Sequence, residues 1–312
     1  MYSIDDLLKC IGVPCEVIGN KKLTFKGVEP IFEATDNSLS WIRAGNKNIH
    51  ELVRLSKASY IICEEGYVPE EEVLEHKCIV KTSRPDIGFL RLVKNLYSRA
   101  SGEVIIHPTA IIHPDAVLGK NVSIGPFSII GNCTIGDNSI IESNVVIKDR
   151  VEMGANILIS EFCNIGGQGF GHIFNEQNRY ENMPHIGKVV IEDNVDIFPY
   201  CNIDRATLSE TRIGSGTKID HYCHISHNTT TGSNTMITAK VVMCGGSKVG
   251  NNVFIGVGSL IRDSVKVGDN TMIGIGSVVT KDVPNGETWV GAPAVPIEEH
   301  KALRAKMKNI IS

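Results

Sequence analysis

Three histidines spaced three residues apart stand in the run Ile219-Asp220-His221-Tyr222-Cys223-His224-Ile225-Ser226-His227-Asn228. Imidazole titrates near neutral pH, so such a group can serve as a general base, a proton carrier or a metal ligand. Which of these roles is open to His221, His224 and His227 depends on the element that carries them and on whether their side chains converge.

The surrounding sequence identifies that element. From Ile213 to Val279 every sixth residue is aliphatic (Ile213, Ile219, Ile225, Ile237, Met243 and onward), with Thr231 as the one exception. Two residues before each stands a small or β-branched residue, among them Thr217, Cys223, Thr229, Thr235, Val241 and Ser247. A period of six fits neither the 3.6-residue drift of a helix nor the alternation of a strand. It marks a parallel β-helix built from hexapeptides. Three hexads close one triangular turn, so residues eighteen apart stack on strands about 4.8 Å apart. The aliphatic and small residues point inward, and the residue two after the aliphatic one points out. Corners such as Gly250-Asn251-Asn252 and Gly268-Asp269-Asn270 carry residues that tolerate the positive φ of a tight turn.

The coil begins at Ile106-His107-Pro108 and drops one residue before Ile135. It is interrupted by an excursion over 166–188 and by a four-residue insertion within 204–211, and such interruptions mark loops on a binding face. Residues 1–100 lack the period. Ser3 reads as an N-cap before Ile4-Asp5-Asp6, strands are expected over 15–18, 23–28, 58–63 and 78–81, and helices near 50–57 and over 86–97. The expected organisation is a small α/β domain (1–100), a β-helix (104–297) and a terminal helix (298–312) that caps the open end of the coil.

Bulk composition agrees with this division. Of 312 residues 42% are hydrophobic and 21% charged, as in ordinary globular proteins, while 6% aromatics and 30 glycines suit a solenoid with many corners. A net charge of -4 argues against nucleic acid as the main partner. No apolar run reaches the length of a membrane span and the first residues lack a basic leader, so a cytoplasmic location is expected. The nine cysteines include no CxxC pair. Cys133, Cys163, Cys201 and Cys223 fall at the small inward position, as reduced structural thiols in a reducing compartment.

On this coil His221 and His227 point outward from neighbouring faces, and His224 falls just before an aliphatic position. Divergent side chains do not make a tetrahedral zinc site, so no metal ligands are assigned; the plain alternative is three surface histidines. Gly245 lies eighteen residues after His227 and therefore stacks on it. An imidazole beside a bare backbone N–H one strand away is the arrangement of a base and an oxyanion donor. Such a pair would take a proton from an amine and stabilise the tetrahedral intermediate as that amine attacks a thioester.

Four pieces follow in order within 166–244: Gly169-Phe170-Gly171, Ile203-Asp204-Arg205, Lys218-Ile219-Asp220 and Ile225-Ser226-His227-Asn228. Weaker ones precede them at Gly27-Val28, Leu39-Ser40-Trp41 and Ala58-Ser59-Tyr60-Ile61-Ile62. Together they resemble the lipid A N-acyltransferase family commonly called LpxD, which acylates a UDP-linked glucosamine derivative. The resemblance implies a mainly β fold, a left-handed parallel β-helix, working as a homotrimer with active sites between neighbouring coils. It implies His227 as general base and the Gly245 amide as oxyanion hole. The sequence departs from the family at three places. The family's second histidine, thirty-seven residues after the first, is Ser264. In the nucleotide motif Ser-Phe-x-x-Asn-x-x-Tyr, Ser40 and Trp41 hold the first two places while Ala44 and Lys47 replace the Asn and Tyr. The Asp of its Gly-Asp-Gly-Phe-Gly segment is Gln168.

The tail from Ser277 to Ala294 is similar to hexapeptide acetyltransferases that use acyl-CoA. That likeness implies backbone groups of the last coils, Gly256 and Gly274, and the basic Lys281 as holders of pantetheine and phosphate. Trp41 is a candidate for stacking on a nucleobase, or for apolar packing in the small domain. Asp204 and Arg205 are candidates for sugar hydroxyls or phosphate, or for pairing with each other or with a neighbouring subunit. His224 and Phe170 complete the acceptor-side set, and the loop bearing Phe170, His172, Tyr180 and His185 is a candidate lid or a plain bulge. The resulting expectation is an N-acyltransferase that moves an acyl group from acyl-CoA or acyl carrier protein to the amine of a nucleotide-linked amino sugar, with no permanently bound cofactor. The second reading is the lipid A enzyme itself. A noncatalytic β-helix scaffold or a carbonic-anhydrase-like metal protein represents another class.

Overall fold

The computed structural model describes residues 1–97 and 105–311, which form two compact units, one on either side of the gap. The boundary expected between residues 100 and 104 lies outside the described residues, as does Ser312.

The first unit opens with helix α1 (Ile4–Ile11), started by a reciprocal cap in which Ser3 and Asp6 satisfy each other's amides and stopped by Gly12 in the left-handed region. Its sheet holds β1 (Glu16–Gly19), β2 (Gly27–Val28), β3 (Ser38–Trp41), β4 (Tyr60–Glu64) and β5 (Cys78–Thr82) in the order β1-β5-β4-β3-β2, parallel except for β1. Helices α2 (Ile49–Leu55), α3 (Glu71–His76) and α4 (Pro85–Tyr97) complete it. Two elements lie outside the sequence expectation. Strand β3 buries two serines and a leucine in succession, so it shows no alternation, and α3 is too short and too acidic to show a stripe. The strand expected over 23–28 shrinks to β2 and a bridge between Tyr2 and Phe25.

In the second unit most strands are two residues long and stack into three parallel sheets, with Lys218, Met236, Phe254 and Met272 on successive rungs. Ile213, Ile219, Ile225 and Ile237 are fully buried, as are the small residues Thr217, Cys223 and Thr229 beside them. Thr231 is tolerated in the aliphatic column because its hydroxyl accepts the Gly214 amide at 3.0 Å. The inward cysteines are buried and unpaired, and each of Cys163, Cys201 and Cys223 donates its thiol to a main-chain carbonyl of the next turn.

One edge of the coil carries aromatic residues at corners where Asn or Gly is the pattern. Phe162, Tyr200 and Tyr222 sit there at φ of 60°, 63° and 61°, where a bulky side chain is disfavoured. Their rings stack at 5.0 Å and 3°, which offsets the strain. The coil end also differs from expectation. Trp289, 8% exposed, joins Val283 and Ala294 in the core and closes it. Helix α5 (Ile297–Ile311) touches the final strands at its start, while residues 301–307 are exposed.

Candidate active site

His227 follows Ile225 by two residues and Gly245 follows Met243 by two, and the pairing of Ile225 with Met243 puts Gly245 one rung from His227. A Cβ added to Gly245 would lie 2.7 Å from Cε1 and 2.9 Å from Nε2 of His227, so the imidazole rests on bare backbone. The next amide, of Gly246, donates to the His227 carbonyl at 2.9 Å, whereas the Gly245 amide has no acceptor among the described residues. A half-buried imidazole and a free N–H therefore share one edge.

The loop over 166–188 folds onto that edge. Its strands His172–Phe174 and Tyr180–Asn182 form a hairpin. Nearer the coil, the His185 ring lies 4.7 Å from the His227 ring at 60°, and its Nδ1 donates to the Met183 carbonyl at 2.9 Å. A Cβ on Gly169 would sit 2.7 Å from His185 Nε2 and 2.8 Å from His227 Cβ, and one on Gly171 3.0 Å from His185 Cε1. The two glycines of the Gly-Phe-Gly segment are thus the space His185 occupies. Sequence reading placed His185 in the loop without a role; the paired glycines upstream were the available signal.

Asp204, 5% exposed, lies beneath this cluster. Its Oδ1 accepts from Asn202 Nδ2 at 2.7 Å, its Oδ2 stands 3.7 Å from His224 Nε2, and Asn202 also contacts His224 Nδ1 at 3.0 Å. Burial pushes the Asp204 carboxyl up, against the opposing pull of Asn202 and of His224, His227 and His185. Burial likewise pushes His227 below its ordinary value of 6.5, assisted by His185 and opposed by Asp204 and a hydrogen bond with the Phe170 carbonyl. Asn228 acts in the same direction as burial. Its carboxamide oxygen accepts the Thr207 amide at 2.9 Å, so its NH2 group faces His227 Nδ1 at 3.0 Å, and a proton there would meet a donor.

A base must be unprotonated to work, so activity that depends on His227 is lost as pH falls through its lowered pKa. The acidic limb of kcat/KM is expected below 6.5 in the native protein. Asn228→Asp places a carboxylate at Nδ1 and is expected to move that limb upward by about 1–3 pH units. A pH–rate profile of the two proteins measures this; coincident limbs would remove Asn228 from the control of His227.

The remaining candidates distribute unevenly. His221 is on another edge, with Nδ1 2.6 Å from Asp220 Oδ1 and its ring 5.5 Å from Phe198. His224 does not point away as the coil geometry suggests: its Nε2 stands 3.7 Å from Asp204 Oδ2, and the same carboxylate acts on His227 through its charge. Among the described residues no group of three or more His, Cys, Asp or Glu is arranged to hold a metal ion. Arg205 is not presented to a ligand: Nε donates to the Gly166 carbonyl at 2.8 Å and Nη2 to the Asp149 carbonyl at 3.0 Å, tying the loop base to the preceding turn. Asp204 is buried under the histidines and pairs with Asn202 rather than with Arg205. The Phe170 ring is 85% exposed beside His172, and the backbone carbonyl is what meets His227.

Gly256 and Gly274 also differ from their expected role. Their amides donate at 2.8 Å to the carbonyls of Ile273 and Trp289, and a Cβ on either would strike a neighbour at 2.6 Å. Packing explains these glycines, and they lie on the edge of His221 rather than that of His227. Lys281 is exposed and follows Val279 as His227 follows Ile225, which places it on the His227 edge three rungs away, roughly 14 Å.

In the first unit Trp41 stacks on Phe89 at 5.3 Å and 16° and lines a cavity of about 540 Å³ with Ser40, Arg43 and Asn46. Ser40 Oγ is buried there with no partner among the described residues. Asn46 and Phe89 both line that cavity.

Stacked hexapeptide turns bearing an imidazole over a bare glycine place the chain among the hexapeptide-repeat transferases. Residues 246–281 match the bacterial transferase hexapeptide (six repeats) and residues 115–159 the hexapeptide repeat of succinyl-transferase. A UDP-3-O-acylglucosamine N-acyltransferase of Anaeromyxobacter dehalogenans is 30% identical over 268 residues, covering 78% of this chain and 73% of the relative. The chain belongs to that family. The enzyme of the same name from Maricaulis maris is 47% identical over 159 residues, 51% of this chain, and there the match spans 46% of the relative's length. The crystal structure of UDP-N-acetylglucosamine O-acyltransferase (LpxA) from Moraxella catarrhalis superposes with a TM-score of 0.55 at 29% identity, over 61% of this chain and 72% of that one. The coil is accordingly a left-handed parallel β-helix.

Proposed function

We propose that this protein is an N-acyltransferase that moves an acyl group from a thioester to the amine of a nucleotide-linked amino sugar. The observation that carries the reading is the His227 imidazole lying on Gly245, whose amide is free. His227 takes a proton from the attacking amine, and the Gly245 N–H receives the oxyanion of the tetrahedral intermediate. Collapse expels the thiolate, which recovers the proton from His227. Lys281, farther along the edge, suits a phosphate of acyl-CoA or of acyl carrier protein; nothing in the reaction requires a permanently bound cofactor.

The cavity of the small unit suits a nucleotide base between apolar walls, with Trp41 as a stacking face and Ser40 and Asn46 as hydrogen-bonding groups. That pocket favours a second reading within the same class, acylation of UDP-3-O-acylglucosamine itself. A homotrimer is supported by the exposed apolar edge of Phe162, Tyr200, Tyr222, Val257 and Ile275. No helix among the described residues is long and apolar enough to cross a membrane, and a cytoplasmic site of action accords with the free thiols.

The test is a screen of UDP- and dTDP-linked amino sugars against short and long acyl thioesters of CoA and acyl carrier protein, read by free thiol release and mass of the acylated sugar. One sugar–donor pair giving an amide product is the expected result. Stoichiometric zinc or iron in the purified protein, with no amide from any pair, would sink the reading in favour of a metal-dependent protein.

A further inference from the structure

His185 has no place in the two-residue mechanism above, yet it is the most constrained side chain near it. The ring is 4% exposed. With Nδ1–H given to the Met183 carbonyl, Nε2 carries the lone pair, and that atom is buried without a partner among the described residues. A buried acceptor left unmet is costly, and such groups cluster where function requires them. The atom is sealed by the Gly169 backbone on one side, and the His227 ring stands 4.7 Å away, ring centroid to ring centroid.

The Phe170 carbonyl meets one N–H of His227, and protonation adds a second at the nitrogen that faces Asn228. Asn228 faces Nδ1 with a donor, the Asp204 carboxylate is hydrogen-bonded to Asn202 and nearest His224, and the Gly245 amide is itself a donor. The titratable groups influencing the ring are His185 from the loop, Asp204 from the preceding turn and His224 from its own strand. Of these His185 is the one with a buried ring nitrogen that has no partner among the described residues.

We propose that His185 is a positioning residue for the base: it holds the His227 ring on Gly245 and accepts an N–H of that ring while the ring carries the substrate's proton. The proposal rests on the acyl-transfer reading for its catalytic meaning, and on geometry alone for the pairing of the two histidines. The proton leaves the amine nitrogen, resides on His227 and departs to the thiolate sulfur; His185 is unchanged at the end of the cycle. The loop over 166–188 is then part of the catalytic apparatus, because it delivers the second imidazole that position 264 does not supply from the coil.

Two variants separate positioning from simple packing. His185→Leu removes the lone pair, and kcat should fall by about 10²-fold while KM for both substrates stays within about threefold. His185→Gln keeps an acceptor oxygen and should recover kcat to within about tenfold of the native protein. His185→Leu removes an acceptor that favours the protonated His227 ring, so it should shift the acidic limb of kcat/KM to lower pH, whereas His185→Gln should leave the limb near its native place. In His185→Leu a rate loss with an unmoved limb means a merely structural histidine and overturns the proposal, as do native kinetics. An activity-independent reading accompanies these: the rate of diethyl pyrocarbonate modification of His227 against pH, followed by peptide mass spectrometry. Its midpoint should fall in His185→Leu and stay near the native one in His185→Gln. If no sugar–donor pair supports acyl transfer in the native protein, the functional reading fails while this midpoint still decides the pairing; a midpoint identical in all three proteins overturns it.

Discussion

His227→Ala is expected to lower kcat/KM for acyl transfer by about 10²–10⁴-fold, the range that a positioned general base supplies. The loss should appear in kcat, since the ring acts on the proton released as the amine attacks and contributes little to holding the ground state. The fold should survive. The side chain points out from a corner whose inward neighbours, Ile225 and Met243, stay fully buried whatever stands at 227. Melting temperature and assembly state measured beside the kinetics therefore isolate the chemistry. His227→Gln is the stricter comparison, because an amide can keep the contact with Asn228 and still cannot accept a proton at neutral pH. Full activity in either variant would rule out His227 as the base.

Gly245→Ala tests the other half of the site. Gly245 does not lie in the left-handed region, so the backbone accepts alanine. The new methyl, however, would stand 2.7 Å from Cε1 and 2.9 Å from Nε2 of His227, inside any tolerable contact. The ring must move while the imidazole remains present and titratable. A displacement of this order costs about 10²-fold in rate, and the oxyanion donor moves with it. Gly246→Ala is the natural control. That residue sits at φ +70°, where alanine costs about 1–2 kcal/mol, yet its nearest neighbour would be Ser264 Oγ at 3.6 Å. The expected contrast is lost rate at 245 with near-native stability, and lost stability at 246 with near-native rate. Equal behaviour of the two variants would detach Gly245 from the chemistry.

The parts of this site legible in the sequence are those set by the repeat. Hexads of fixed length make contacts at fixed separations, so His227 over Gly245 follows from a difference of eighteen. The coil beneath them follows from apolar residues at every sixth place. The same rule placed Lys281 on the His227 edge. It does not foresee His224, because outward direction on a flat face suggests divergence, whereas His224 stands 3.7 Å from the buried carboxylate of Asp204. The aromatic edge of Phe162, Tyr200 and Tyr222 was also illegible, since turn chemistry assigns such corners to Asn or Gly. At this edge stacking between rungs offsets that preference.

In the small domain, local signals sufficed for most helices and strands, but not for the pocket. Trp41 meets Phe89 across a long stretch of chain, and Asn46 enters the cavity from beyond the expected motif position. Spacing in sequence carries no information about such contacts, because the sheet order brings them together.

By itself, then, the sequence determined the coil, the rung on which the imidazole meets a bare amide, and the family motifs around them. Tertiary structure alone decided that His185 closes on His227, that Arg205 anchors the loop, and that Asp204 lies buried beneath the histidines. The physical reason is the same in each case. A repeat converts separation along the chain into position in space, whereas a loop that leaves the repeat finds its contacts by packing.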